Sequence, residues 1–288
     1  MKTKLLNLLA LGLSLLAGCE TIDPDDIRNL NNGKILIIGH GGGGFQSYSN
    51  PFPANSLVTI SRTIDGLQAD GIELDAQLTA DKKLVLYHDE FLQAQTSCSD
   101  CISGQTAEEV LKCRYNRGAH NNLKEREPLI TLETVLAKYA GYPNKPQIFI
   151  DSKLFNACKP DQTPQIPDFA EVVGNLIAKS NAQAWTHVES SSVPLLLALK
   201  AKDQRLRLLF YTRNPAADIP VVARLGFDGI TAFNHEITAA QVQQAHQAQL
   251  SVTLLGIKSR SGLLNTIRKN PDAIQTDNVP LLINILQD

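Results

Sequence analysis

The chain of 288 residues carries 27 Lys and Arg against 29 Asp and Glu, so its formal net charge is −2 and no basic excess points to a nucleic-acid partner. With 43% hydrophobic residues it can bury one sizeable core, and its length suits a single large domain. Five cysteines are present, and four of them lie well inside the chain.

Lys2 and Lys4 precede an apolar run from Leu5 to Leu16, which has signal-peptide length and is too short to span a bilayer. The run ends in Leu16-Ala17-Gly18-Cys19, which resembles the lipobox of bacterial lipoproteins. That resemblance implies cleavage after Gly18 and a lipid on Cys19, so the protein is expected to be exported and held at the cell envelope. In a Gram-negative cell this means the outer membrane or the periplasmic face, and Glu20 is not the Asp that signals inner-membrane retention. A plain secretory signal cut near the same small residues is the alternative, and a Cys directly after Ala-Gly argues against it. Residues 19–33 read as a polar tether, and the domain is expected from 34 to 288.

From Lys34 onward, strand-like runs rich in Ile, Val, Leu and Phe recur at Ile35–His40, Gly71–Leu78, Leu84–His88, Gln147–Asp151, His187–Glu189, Leu206–Tyr211, Gly229–Phe233, Leu250–Ile257 and Ala273–Thr276. Helical runs separate most of them, at Leu57–Leu67, Leu132–Tyr139, Phe169–Ser180, Pro194–Ala201, Pro220–Leu225, Ala239–Gln249 and Gly262–Arg268. This alternation predicts an α/β fold with a parallel sheet, most simply a (β/α)8 barrel, although the count of strands exceeds eight by one. Asp75 and Leu84 are too close for a crossover helix, so an extended return should set two functional strands side by side. The polar stretch from about 93 to 127 reads as a loop insertion with a short helix over Ala107–Cys113, and it contains Cys98, Cys101 and Cys113. With Cys158 these make an even set, read in an exported protein as disulfides of undetermined pairing; one C-x-x-C without a second pair is a poor zinc site.

The chemistry concentrates at strand ends. In Gly71-Ile-Glu-Leu-Asp75 the alternation of a strand puts Glu73 and Asp75 on one face and Ile72 and Leu74 on the other. Two carboxylates on one face are costly without a cation, so an oxygen-ligated divalent metal is expected there. His40 and His88 each end a strand and form a candidate acid/base pair. A salt-bridged strand edge is the plainer reading of Glu73 and Asp75, but it leaves the two His and a third acid unexplained. The Gly41–Gly44 run lacks the Gly-Lys-Ser/Thr of a phosphate loop, and no G-x-S-x-G accompanies it as in an esterase. It reads as a loop whose backbone approaches a ligand. Asp89 is read as a residue that orients His88, Asp277 as lining the mouth or capping a turn, and Ser190–Ser192 as a helix cap. His120, His187, His235 and His246 have no motif context.

Taken in order, His40-Gly41-Gly42, Pro53-Ala-Asn-Ser56, Glu73-x-Asp75, His88-Asp89, Asp151-x-Lys153 and Thr276-Asp277 resemble the motifs H-R-G, P-E-N-T, E-x-D, H-D, E-x-K and T-D of the glycerophosphodiester phosphodiesterase family. The resemblance runs from Ile35 to Asp277. It implies a TIM barrel of the PLC-like phosphodiesterase type with its site at the C-terminal strand ends, and one divalent ion, Mg2+ or Ca2+, held by Glu73, Asp75 and Asp151. It further implies His40 and His88 as general acid and base, with Lys153, Asn55 and Gly41 at the substrate. The substrate would be a small glycerophosphodiester or related lipid headgroup, and the enzyme a phosphoric diester hydrolase acting as a monomer. The chain departs from the pattern where Gly41 replaces Arg, Ala54 replaces Glu, Asp151 replaces Glu, and Leu254-Leu255 stands where Trp-Thr is common. These changes bear on the substrate more than on the metal. Two other readings remain: a sphingomyelinase D-like or phospholipase activity on intact lipid, and a barrel that binds a phosphorylated ligand without turnover.

Overall fold

The computed structural model describes residues 26–45, 50–116, 126–154, 158 and 165–287; the leader, Cys19 and the rest of the tether up to residue 25 lie outside them, as does His120. Nine strands appear among these residues: β1 Leu36–Gly39, β2 Gly71–Leu78, β3 Leu84–Leu86, β4 Gln147–Ser152, β5 Thr186–Ser190, β6 Arg207–Thr212, β7 Gly229–Phe233, β8 Ser251–Ile257 and β9 Ala273–Thr276. Eight of them pair in parallel in the order β1, β2, β4, β5, β6, β7, β8, β9, and β9 closes back on β1. The protein is therefore a TIM barrel.

The surplus strand is β3. It pairs antiparallel with β2 through Ala76↔Leu86, Gln77↔Val85 and Leu78↔Leu84, while β2 pairs with β4 only as far as Ala76↔Ser152. β2 is thus longer than the barrel wall, and its overhang carries the return strand that replaces a crossover helix. His88 follows two residues beyond β3, which places it over the same rim as the end of β2.

Helices α1 Leu57–Ser61, α3 Leu132–Tyr139, α4 Ile166–Lys179, α5 Val193–Lys202, α6 Pro215–Leu225, α7 Ala239–Gln247, α8 Arg260–Ile267 and α9 Val279–Gln287 connect the strands, and a one-turn helix α2 Ala107–Val110 sits in the insertion. Side-chain caps start most of them: Ser56, Thr106, Thr131, Ser192, Thr238 and Ser259 each accept a backbone N–H of the first turn. Ser192 accordingly caps α5. Two helices differ from the sequence expectation. Helix α6 begins at Pro215, and Pro220 lies inside it rather than at its start. Helix α9 follows Asp277, where no helix was expected, and buries Val279, Leu282 and Ile285 against β1 and β9 residues such as Ile37 and Ile274.

A large core joins the barrel wall to α3, α4, α5, α6 and α7, with Ile72, Leu74, Ile148, Ile150 and Val252 fully buried. A separate small core sits under the insertion, where Val85 and Tyr87 meet Leu92, Ile102, Val110, Cys113 and Tyr115. Two disulfides pin it: Cys98 to Cys113 within the insertion, and Cys101 to Cys158 across to the segment after β4. The second bridge ties the insertion to the segment that follows Asp151 and Lys153.

Candidate active site

Alternation along β2 sends Glu73 and Asp75 into the barrel mouth, 2% and 1% exposed, and β4 adds Asp151, the register partner of Asp75. One carboxylate oxygen from each of the three lies within 4.8 Å of the others. The three acids crowd one another out of water. Burial first, then the charges of Asp75 and Asp151, push the Glu73 carboxyl well above the usual range. Burial also raises Asp151, against the pull of Lys153. Asp75 is held low: although burial opposes it, Lys153, His88, the hydrogen bond from Asn55 and His40 together outweigh that cost.

Lys153 is the counter-cation of this group. Its Nζ lies 2.6 Å from Asp151 Oδ2 and 3.0 Å from Asp75 Oδ1, and despite burial those charges hold its ammonium firmly protonated. Asn55 is placed behind the acids instead of facing the cavity. Its Nδ2 donates to Asp75 Oδ2 at 2.6 Å and its Oδ1 accepts from the Asp75 N–H at 3.0 Å, in a backbone conformation with φ +61°. Gly41 is likewise buried: its N–H donates to Glu73 Oε2 at 2.8 Å. With φ +56°, and with Ala54 Cβ 2.9 Å and the Phe45 ring 3.1 Å from where a Cβ would stand, no side chain fits at 41. Both residues were expected to touch substrate. In the structure their hydrogen bonds go to Asp75 and Glu73, so both position the acids.

Each histidine is oriented by its own carboxylate. His40 Nδ1 lies 2.9 Å from Asp277 Oδ1, and His88 Nδ1 lies 3.0 Å from Asp89 Oδ1. A carboxylate at Nδ1 keeps the proton there and leaves Nε2 for chemistry; in His40 that atom is 3.9 Å from Glu73 Oε2. Asp277 also accepts the Phe45 N–H at 3.1 Å, and the Phe45 ring stands edge-on to both imidazoles, with centroids 4.6 and 4.9 Å away. Asp89 is itself fixed by Gln95 Nε2 at 2.5 Å.

These groups open on one cavity of about 530 Å3, lined by His40, Glu73, His88, Asp151 and Lys153 on one side and by Tyr211, Arg213, Phe233 and Leu255 on the other. At its floor Glu189, 3% exposed, reaches across the barrel from β5 to accept hydrogen bonds from Thr231 Oγ1 at 2.6 Å and Gln275 Nε2 at 2.9 Å. Burial pushes its carboxyl up to about 7. Phe45, Glu189 and Arg213 carried no signal in the sequence, since each is defined by what it meets across the barrel. Of the other described histidines, His187 stacks on Phe149 on the barrel wall, His246 pairs with Asp272, and His235 packs against the cavity residue Phe233 with ring centroids 5.3 Å apart.

A model of the Glycerophosphoryl diester phosphodiesterase family matches residues 46–280. The chain belongs to that family. The match takes in the whole constellation except His40 and the glycine run. Among individual relatives, a glycerophosphodiester phosphodiesterase of Caldanaerobacter subterraneus is 39% identical over 79 residues, 27% of this chain and 30% of that protein. One from Bacillus subtilis is 28% identical over 152 residues, 50% of each. The aligned stretches thus span a third to a half of those relatives. The fold likeness extends further. A glycerophosphodiester phosphodiesterase of Parabacteroides distasonis superposes with TM-score 0.71 at 19% identity, over 88% of this chain and 97% of that one. A phosphodiesterase of Oleispira antarctica, solved with its product sn-glycerol-3-phosphate, gives TM-score 0.71 at 17% identity with the same coverage.

Proposed function

We propose that this protein is a metal-dependent phosphoric diester hydrolase that cleaves glycerophosphodiesters, with His40 and His88 as its proton-transfer groups. The observation that carries the reading is the single cavity in which three converging carboxylates and a lysine are flanked by two histidines, each backed by an acid.

The donor set suits a hard divalent cation. Three carboxylate oxygens within 4.8 Å of one another and no sulfur match the oxygen coordination of Mg2+ or Ca2+. Burial first, then the charges of Asp75 and Asp151, raise the Glu73 carboxyl, and Lys153 alone does not offset them. Glu73, Asp75 and Asp151 would hold the ion, which when bound supplies positive charge to the non-bridging phosphate oxygens.

Everything else falls to the chain itself. Lys153, fully charged and within 3.0 Å of two of the acids, adds a second positive charge beside the phosphate position. One imidazole, with Nε2 unprotonated, takes the proton of the attacking oxygen, a hydroxyl of the substrate's own glycerol or a water, and the other, entering the step as the imidazolium, gives its Nε2 proton to the leaving alkoxide. Asp277 and Asp89 hold the Nδ1 proton of each ring and stabilise the imidazolium form of each. Phe45 keeps the two rings apart on either side of the reacting centre. Asn55 and Gly41 fix the acids from behind. The product seen in the Oleispira antarctica relative supports glycerol phosphate as one half of the substrate. Export on a lipid at Cys19, as a monomer, completes the reading, and it would give the enzyme access to headgroups released at the cell envelope.

The test is hydrolysis of glycerophosphodiesters by protein starting after Cys19, with Mg2+ or Ca2+ and again with EDTA. Cation-dependent release of glycerol phosphate is the expected result. Absence of turnover in folded, cation-binding protein would favour a binding barrel instead.

A further inference from the structure

The side of the cavity away from the acids has a charge of its own. Tyr211 ends β6, Arg213 follows it, and Phe233 ends β7 beside them, the two rings edge-to-face with centroids 6.0 Å apart. Arg213 lays its guanidinium over the Phe233 ring, with Cζ 5.6 Å from the centroid. Its nearest carboxylate is Glu236, at 3.9 Å, too far for a hydrogen bond. Among the described residues the Arg213 guanidinium donates no hydrogen bond, so its five N–H groups are available to a ligand. The ring beneath it is held by close packing: Gly256, with φ +86°, lies so near that a Cβ there would stand 2.8 Å from Phe233.

Lys153 and Arg213 are the two permanent cations lining the cavity, and they are not equivalent. Lys153 is spoken for by Asp75 and Asp151, at the place assigned to the phosphate. Arg213, 72% exposed, lines the opposite wall. The Phe233 face under this guanidinium is not offered to a quaternary ammonium.

Resting on the phosphodiesterase reading, we propose that Arg213 on Phe233 selects the alcohol half of the substrate, favouring glycerophosphodiesters of neutral polyols or anionic alcohols over those carrying an ammonium or trimethylammonium. Hydroxyl or carboxylate oxygens accept from the guanidinium fork, whereas a cationic headgroup meets a like charge in a confined mouth. Because Arg213 is exposed, water and salt soften the effect, and a preference of about tenfold is expected at low ionic strength.

The experiment compares kcat/KM for glycerophosphoinositol and glycerophosphocholine, which share the glycerol phosphate and differ in headgroup charge. The wild type should prefer inositol about tenfold. The preference should shrink to within about twofold in Arg213→Gln and in high salt, and invert in Arg213→Glu. All three forms should fold, since the side chain is exposed. A wild-type preference for choline, or a ratio unchanged in Arg213→Gln, overturns the proposal while leaving the phosphodiesterase reading intact. If neither diester is hydrolysed, the phosphodiesterase reading fails instead. The ratio of the two dissociation constants by calorimetry then decides the headgroup question: equal affinities overturn it, and a preference for inositol lost in Arg213→Gln supports it.

Discussion

Replacing Asn55 by Ala removes the side chain that holds Asp75, and it should damage both stability and metal binding. The side chain makes two hydrogen bonds to Asp75, donating to Oδ2 at 2.6 Å and accepting the backbone N–H at 3.0 Å, with all partners about 1% exposed. Removing it leaves one buried N–H without an acceptor and strips a buried carboxylate of a charge-assisted donor. Asn55 also sits at φ +61°, which Asn tolerates far better than Ala. These losses together amount to about 4 kcal/mol. For a domain of this size, that lowers Tm by about 10 °C. Asn55→Gly loses the same bonds without the backbone strain and should melt above Asn55→Ala by the equivalent of about 1 kcal/mol. Asn55→Asp keeps an acceptor for the N–H but sets a second carboxylate against Asp75, so it should be the worst in the absence of a cation. Calorimetric melts in EDTA, paired with titration of Mg2+ or Ca2+, read both effects. An Asn55→Ala protein that melts within about 2 °C of wild type would refute the reasoning, because it would mean Asp75 needs no such support.

Asp277→Asn preserves shape but turns a carboxylate beside His40 Nδ1 into a group that no longer fixes the tautomer or stabilises the imidazolium. Activity should fall by about 10²–10⁴ while cation affinity is unchanged, and loss of cation binding would contradict this role. Glu73→Ala should abolish cation binding and turnover together, whereas His88→Ala should bind the cation and lose turnover; calorimetry beside an activity assay separates them. Glu189 has a pH signature. Its carboxyl is raised from 4.5 to about 7 in the folded state, so the folded protein binds this proton more tightly than the unfolded chain does. Its contribution to stability is therefore present below pH 4.5 and is lost as pH rises through 7, by up to about 3 kcal/mol. Glu189→Gln should remove that slope, so the variant gains on wild type between pH 4 and 8 in denaturant titrations; parallel curves would count against it.

The barrel was legible because a strand facing a packed barrel on one side and helices on the other reads as a run of Ile, Val and Leu, and eight such runs alternate with amphipathic helices. Which of nine strands stood outside was not legible from the runs alone, since Leu84–Leu86 is as apolar as any other. Its place follows from the overhang of β2, a property of pairing. Helix α9 was hidden because its apolar run, Val279 to Leu286, follows Pro- and Asp-rich turn signals that read as an end. At the site, Glu73, Asp75, His40, His88 and Asp151 announce themselves by residue type at strand ends, and the structure brings His40, Glu73, His88 and Asp151 to one cavity, with Asp75 beside Glu73 and Asp151 in the acid cluster. Of the residues that set their geometry, Asp89 beside His88 was legible as such, because it is adjacent in the chain; the distant ones were not. Asn55 lies twenty positions from Asp75 and Asp277 lies 237 from His40, and a hydrogen bond across such distances leaves no local pattern. Gly41 read as a lost phosphate clamp, and its backbone N–H proves to hold Glu73.

The central claim is that the acid cluster and the histidine pair act as one cation-dependent hydrolytic site. The most direct measurement is release of glycerol phosphate from glycerophosphoinositol by the protein starting after Cys19, followed through removal of divalent cations with EDTA and their return. Turnover that stops with EDTA, resumes with Mg2+ or Ca2+, and is absent in Glu73→Ala under both conditions is the predicted result. Turnover that persists in EDTA, or survives in Glu73→Ala, would contradict the account.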